Sequence, residues 1–253
     1  MRVLLVLGFA MLSTLLHHTA VAECTAVSGQ RRVPLLELYT SEGCDSCPPA
    51  DRWVSELRTV GYAGQRVAVL AFHVDYWDKL GWVDRFGQAR FSERQRLLNN
   101  RNGARVVYTP QLVLNGKDYR RGTADAFASQ TAAISRTKPS ADIRLAVKPG
   151  ENRLTVAGAW SGVETPYAQG WLALYENRLG SDVAAGENRN KRLQHDFVVR
   201  DIAGPFPRGN LAHVFPLDAK WKSLDLGIVS FVQDARSGDV LQALTLGACA
   251  SRG

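Results

Sequence analysis

Sulfur is scarce in this chain, with four cysteines and two methionines, one of them the initiator, in 253 residues. So few methionines exclude a methionine-rich metal carrier, and no further cluster of cysteine and histidine stands ready to hold an ion. Beyond the N-terminus, no apolar stretch approaches the roughly 20 residues that a membrane-crossing helix needs, so no membrane span is expected. Internal repeats and low-complexity tracts are also missing, which excludes a solenoid and a largely disordered chain. Nor is the basic excess concentrated. The net charge is +7, but the cations come in short groups such as Arg31-Arg32, Arg120-Arg121 and Arg189 to Arg192. That pattern predicts a solvated basic surface, not a nucleic-acid partner.

What is present starts with a leader. Arg2 precedes an almost purely apolar run from Val3 to Leu16, and Ala20-Val21-Ala22 supplies a small-x-small cleavage signature. Residues 1–22 are therefore read as a signal peptide cut near Ala22, which places the protein in the periplasm or outside the cell. The run is too short for an anchor, and Glu23 before Cys24 argues against a lipoprotein signal. The mature chain of 253 − 22 = 231 residues can support one large domain or two smaller ones.

Four cysteines in an exported protein point to disulfides, and four allow three connectivities. Cys44 and Cys47 are close enough in sequence to pair with each other. That leaves Cys24 and Cys249 to tie the two ends of the mature chain, a structural bridge worth about 4–5 kcal/mol in the chain-entropy account. The competing reading leaves one or both of these free.

The stretch Leu35-Leu36-Glu37-Leu38-Tyr39-Thr40 reads as a short apolar strand running into Cys44-Asp45-Ser46-Cys47. Pro48 and Pro49 follow, tolerated only in the first turn of a helix, and Trp53, Val54 and Leu57 have the spacing of a buried helix face. A cysteine at a helix start meets unpaired N–H groups and the positive end of the macrodipole, which favour the thiolate. Cys44 is thus the candidate attacking sulfur and Cys47 the resolving one.

Farther on, residues 67–74 form a continuous apolar run, as in a strand buried on both faces. At its end His73, Asp75, Tyr76 and Trp77 should emerge on the same side as Cys44. These four are candidate substrate-binding residues. Alternatively, Asp75, Tyr76, Trp77 and Trp82 cover the core where the segment from about 78 to 104 inserts, and His73 is a packed strand-end histidine. Residues 86–100 have helical spacing up to Asn102-Gly103. Residues 106–114 read as a strand entered through Thr109-Pro110 and closed by an Asn115-Gly116 hairpin turn, and 123–137 as a last helix. Lys138-Pro139-Ser140 reads as a boundary. Beyond it alternating short strands are expected at 143–147, 154–156, 170–176, 193–202, 211–215, 226–234 and 239–246, the pattern of a β-sandwich. His195 in that part reads as structural.

A strand, a Cys-x-x-Cys pair at a helix start and a later strand entered through Thr-Pro resemble the thioredoxin-like fold. More narrowly, the run from Glu37 to Asp51, the Phe72-His73-Val74-Asp75-Tyr76-Trp77 stretch, Arg94-Gln95 and Tyr108-Thr109-Pro110-Gln111 resemble the DUF1223 family of exported bacterial proteins. The resemblance implies an α/β thioredoxin-like domain over 23–138 with a helical insertion at about 78–104, followed by a smaller all-β sandwich over 139–253. It also implies a cis Pro110 lying against the cysteines, with Thr109 presenting its backbone to substrate. Two departures stand out. The gap from Cys44 to Pro110 is 110 − 44 = 66 residues, longer than in small thioredoxins. The buried acid that serves the resolving cysteine there has no residue in register, Glu37 being one position off. Asp45-Ser46 between the cysteines brings no cation, which argues for a reducing poise.

The reading that follows is an exported thiol–disulfide oxidoreductase acting on protein or small-molecule disulfides. Cys44 and Cys47 exchange electrons, while Pro110, Thr109 and Glu37 assist. Its partners are protein thiols or disulfides and a further redox protein, with no cofactor and no resident metal. The alternatives are soft-metal (copper) binding or delivery through both thiolates with His73, and a redox-silent interaction module.

Overall fold

The structure is a computed structural model and describes residues 23–64, 66–162, 165–247 and 249; the leader expected over 1–22 lies outside the described residues. The chain opens with strand β1 (Cys24–Val27), followed by β2 (Leu35–Thr40), helix α1 (Pro48–Thr59) and β3 (Ala68–His73). Every residue of β2 and β3 is buried. The two strands run parallel, with Leu35 opposite Ala68 and Thr40 opposite His73, so the loop after β2 and the end of β3 leave the sheet at the same edge. Helix α2 (Ala89–Arg101) follows β3, within the segment expected as an insertion.

Strand β4 (Gln111–Leu114) then pairs antiparallel with β2, and β5 (Lys117–Tyr119) pairs with β4. The hairpin turn between them is Asn115-Gly116, with φ of 53° and 84°, the positive values that a two-residue hairpin turn demands. Helix α3 (Ala124–Arg136) begins at Thr123, whose side chain accepts a hydrogen bond from the Ala126 N–H. It packs against α1 through Phe127 and Trp53, ring centroids 5.0 Å apart and edge to face. Helix α2 packs on the sheet through Phe91, which meets Phe72 at 5.2 Å.

After α3 the described chain is β throughout, apart from one 3₁₀ turn. It comprises β6 (Asp142–Pro149), β7 (Arg153–Ser161), β8 (Ala168–Glu176), β9 (Leu179–Asp182), β10 (Arg192–His195), β11 (Val198–Phe206), β12 (His213–Pro216), β13 (Leu226–Asp234) and β14 (Val240–Leu246). These strands do not stand apart from the first half. The large sheet has the order β14-β13-β8-β11-β3-β2-β4-β5, so strands from both sides of residue 138 share it. The seam is β11 against β3, parallel at Val198–Ala71, with the Ala71 N–H bonded to the Phe197 carbonyl at 2.8 Å. A fully buried, largely apolar strand such as β3 cannot be left as a sheet edge, and the second half supplies its neighbour.

The second sheet, β1-β6-β7-β12, lies on one face of this extension. Ile143, Leu145, Trp160 and Phe215 from it share a core with Leu172, Leu174, Ile228 and Val232. The alternate residues of the same strands, Ala173, Tyr175, Val229 and Phe231, join the interior of the first half with Phe72 and Phe91, as the two-residue period of a strand requires. Cys24 and Cys249 are disulfide-bonded, Cα atoms 5.8 Å apart, which ties β1 to the chain after β14.

Candidate functional site

The loop after β2 descends into α1 through two turns, the Cys44 N–H bonding the Ser41 carbonyl and the Cys47 N–H bonding the Cys44 carbonyl. Cys47 caps α1, and Pro48 and Pro49 take its first positions, where their missing N–H groups leave nothing unsatisfied. Cys44 and Cys47 are joined by a disulfide, Cα atoms 5.5 Å apart.

The Thr109–Pro110 peptide is cis, as the resemblance implies. Trp77 connects the two segments. Its indole N–H donates to Thr109 Oγ1 at 2.7 Å, and its Cβ lies where a side chain on residue 43 would crowd it at 3.1 Å, so a glycine occupies 43. A 240 Å³ groove lined by Ser46, Ala50, Tyr108, Pro110, Tyr119 and Arg121, among others, borders both the Cys-x-x-Cys loop and Pro110.

Both cysteines are nonetheless fully buried, while Asp45 and Ser46 between them are exposed. The segment 183–191, which joins β9 to β10, caps the loop. Asn188 is buried and donates through Nδ2 to the carbonyls of Glu42 (2.9 Å) and Cys44 (2.8 Å). The Asp45 N–H donates to Glu187 Oε2 at 3.1 Å. Nothing in the sequence around 183–191 signals this contact, because it depends on a pairing of segments more than 140 residues apart.

Beneath the loop lies a buried group of titratable side chains: Glu42, Asp51, His73, Asp84 and His195. His73, at the end of β3, presents Nδ1 to Asp84 Oδ2 at 2.7 Å. Asp84 also accepts the N–H of Glu42 at 2.8 Å and that of Phe86 at 2.9 Å. His195, ending β10, faces Glu42 Oε1 at 3.4 Å and Asp51 Oδ1 at 3.5 Å. Thr40 Oγ1 donates to Asp51 Oδ2 at 2.9 Å, and Trp82 Nε1 to Glu42 Oε2 at 2.8 Å. Burial works to deprotonate His195, but Asp51 and Glu42 outweigh it and push its pKa up to about 10. Burial likewise raises both Glu42 and Asp84, yet the polar groups of His195, Ser181 and Trp82 that face the one, and His73 together with two backbone N–H groups beside the other, leave both below the usual carboxylate range.

The other sequence candidates fall into place around this centre. Glu37 is buried in an ion pair with Arg94 at 2.7 Å and near the Tyr39 hydroxyl; its described contacts reach Arg94 and Tyr39 and no cysteine. Asp75 accepts from Ser92 at 2.5 Å and Tyr76 donates to Gln95 at 3.2 Å, both tying the loop after β3 to α2. His73 is fully buried and so belongs to the interior, not to a surface that a substrate reaches. The sequence reading passed over Glu42, Asp51 and Asp84. Asp51 had a usable signal: it sits one turn after Cys47 on the side of α1 that also carries Val54. His195 was read as structural, and its neighbours came into view only with the fold.

The profile of a family described as "protein of unknown function (DUF1223)" matches residues 35–233. Protein AGR_C_4864 from Agrobacterium tumefaciens, known from a crystal structure, is similar at 26% identity with a TM-score of 0.64, over 87% of this chain and 96% of that one. HBP35 of Porphyromonas gingivalis is similar in fold, with a TM-score of 0.58 at 14% identity, over 87% of this chain and 76% of that one. No functionally curated protein matches at a significant level.

Proposed function

From the premise that the chain belongs to the DUF1223 family, we propose that it is an exported thiol–disulfide oxidoreductase whose first half is thioredoxin-like and whose working pair is Cys44 and Cys47. One observation carries the reading: a Cys-x-x-Cys disulfide at the start of α1 shares a groove with the cis Thr109–Pro110 segment. The sheet order β3-β2-β4-β5 and the helix placed directly after the cysteines support it.

In the reduced protein the Cys44 thiolate attacks one sulfur of a substrate disulfide, and the other sulfur leaves as a thiolate. Cys47, deprotonated in its turn, attacks Cys44 in the mixed disulfide and releases the second substrate thiol. The two electrons gained by the substrate leave the pair as the Cys44–Cys47 disulfide, which a dithiol partner must reduce before another turn. The helix N-terminus lowers the cost of the thiolate, and the groove beside Pro110 offers room for an extended substrate segment. Trapping tests it. A Cys47→Ser variant should accumulate mixed disulfides through Cys44 with substrate proteins, and a Cys44→Ser variant should accumulate none. Equal trapping by both variants, or by neither, contradicts the proposal.

A second reading, the redox-silent interaction module, has one observation in its favour: both sulfurs lie fully buried beneath the 183–191 cap. On that reading the disulfide pins the loop and does not turn over.

A further inference from the structure

Thiol exchange assigns no task to the cluster of ligand atoms beneath the Cys-x-x-Cys loop. We propose that Asp51, His73 and His195, with Glu42 beside them, form a binding site for a divalent first-row transition ion of the zinc class. The site stands independently of the exchange reaction, since none of its donors is a sulfur. Imidazole nitrogen and carboxylate oxygen together are the donor set that such ions take.

Its geometry is that of ligands facing a common centre. One donor atom each from Asp51, His73 and His195 can be chosen so that all lie within 4.8 Å of one another. A tetrahedral ion with bonds of about 2.1 Å spaces its ligands about 3.4 Å apart. The separation of 3.5 Å between His195 Nδ1 and Asp51 Oδ1 already has that spacing, while Glu42 faces the other ring nitrogen, Nε2, from outside this set of three. Neither His195 nitrogen makes a hydrogen bond of normal geometry, and Glu42 Oε1 has no hydrogen-bond partner either.

His73 is oriented for the task. Its Nδ1 is held by Asp84, a carboxylate that in turn accepts two backbone N–H groups. That fixes the ring orientation and, in the neutral imidazole that a metal ligand must be, leaves Nε2 as the lone-pair nitrogen, buried with no hydrogen-bond partner. A carboxylate–histidine pair of this kind is the usual support behind a metal-bound imidazole. Leaving Nε2 unpaired in the interior carries a desolvation cost that coordination removes. The local charge agrees, with three carboxylates (Glu42, Asp51, Asp84) set around two imidazoles. A route exists as well: Asp51 and His195 line a 110 Å³ cavity, together with Pro48 and Arg192, that opens beside the start of α1.

The ion would join α1, β3 and β10 directly below the cysteines. The decisive experiment titrates zinc into the purified protein with Cys44–Cys47 oxidised, by calorimetry, and repeats it with His195→Gln, His73→Gln and Asp84→Asn. One ion per chain is expected for the wild type, with loss of measurable binding in both histidine variants and a 10–100-fold weakening in Asp84→Asn. No binding by the wild type, or undiminished binding by the histidine variants, overturns the site. Should those variants fail to fold, cobalt(II) titrated into the oxidised wild type decides alone. Ligand-field bands of a nitrogen–oxygen set that zinc abolishes support the site, and an unchanged spectrum refutes it. A Cys44→Ser/Cys47→Ser double variant should bind zinc as the wild type does, which separates failure of this site from failure of the exchange reaction.

Discussion

At the scale of single residues, the environment of His195 changes its chemistry. Two carboxylates hold it protonated to about pH 10, against an ordinary value of 6.5. Because the folded value is the higher, its contribution to stability is complete below about pH 6.5 and is lost as the pH climbs towards 10. Glu42 and Asp84 act in the opposite sense. Their folded values lie below the ordinary ones, so their contribution is present above about pH 5 and disappears on acidification. With a chelator present, urea unfolding should therefore find maximal stability between about pH 5 and 6.5, with a decline on the alkaline side that His195→Gln abolishes. An alkaline limb that persists in that variant places the titrating group elsewhere.

Residue by residue, the sequence disclosed chemistry wherever it was coupled to local structure. Cys44 and Cys47 were legible because two prolines and the apolar spacing of α1 announce a helix start. Pro110 was legible only through the resemblance to the thioredoxin-like fold, which places a cis proline before that apolar strand. Asp84 and Glu42 carried no such mark, since a carboxylate in a loop looks solvated until the fold closes over it. Glu37 was legible as an acid in an apolar strand, either a proton acceptor or an edge carboxylate, but its partner Arg94 lies on α2 and no local pattern joins the two.

Among the elements, the 183–191 cap governs access to the cysteines. Its hold rests largely on Asn188, which satisfies two buried carbonyls at once. Asn188→Ala removes the side-chain donor from the Glu42 carbonyl and leaves the Cys44 carbonyl with the Cys47 N–H alone, at a cost of about 1–3 kcal/mol. The reduced protein should then expose Cys44 more often, and its alkylation by a small thiol reagent should accelerate by about 5–150-fold. An unaltered rate means that the cap does not limit access.

The same scale shows how far periodicity reaches. Strands β2 and β3 and helices α2 and α3 lie within a few residues of their expected positions, because each has a clear apolar period or a stop signal. Residues 193–202, expected as one strand, form parts of β10 and β11 instead, broken at Phe197, whose φ is 58°. Strand β9 was missed, because Leu179–Asp182 offers too few apolar positions to show a period.

For the whole molecule, the unexpected feature is that one sheet spans the boundary near residue 138. A change of pattern from helical to alternating does mark that point, but pattern cannot say which strand lies beside which. The edge of β3 needed a neighbour, and β11 meets it only through long-range pairing. The disulfide between Cys24 and Cys249, 225 residues apart, ties the ends of this arrangement. Replacing both cysteines by serine should lower unfolding stability by about 5 kcal/mol in the chain-entropy account, read as a lower urea midpoint. A midpoint unchanged from the wild type would show that sheet pairing alone fixes the ends.

The measurement that bears most directly on the exchange chemistry is the reduction potential of the Cys44–Cys47 pair. The protein is equilibrated in thiol–disulfide buffers, and alkylated peptides are counted so that Cys24 and Cys249 are followed separately. A reversible couple between about −120 and −270 mV, the span of working oxidoreductases, is the predicted result. A pair that stays oxidised below about −300 mV behaves as a structural disulfide and contradicts the exchange reaction.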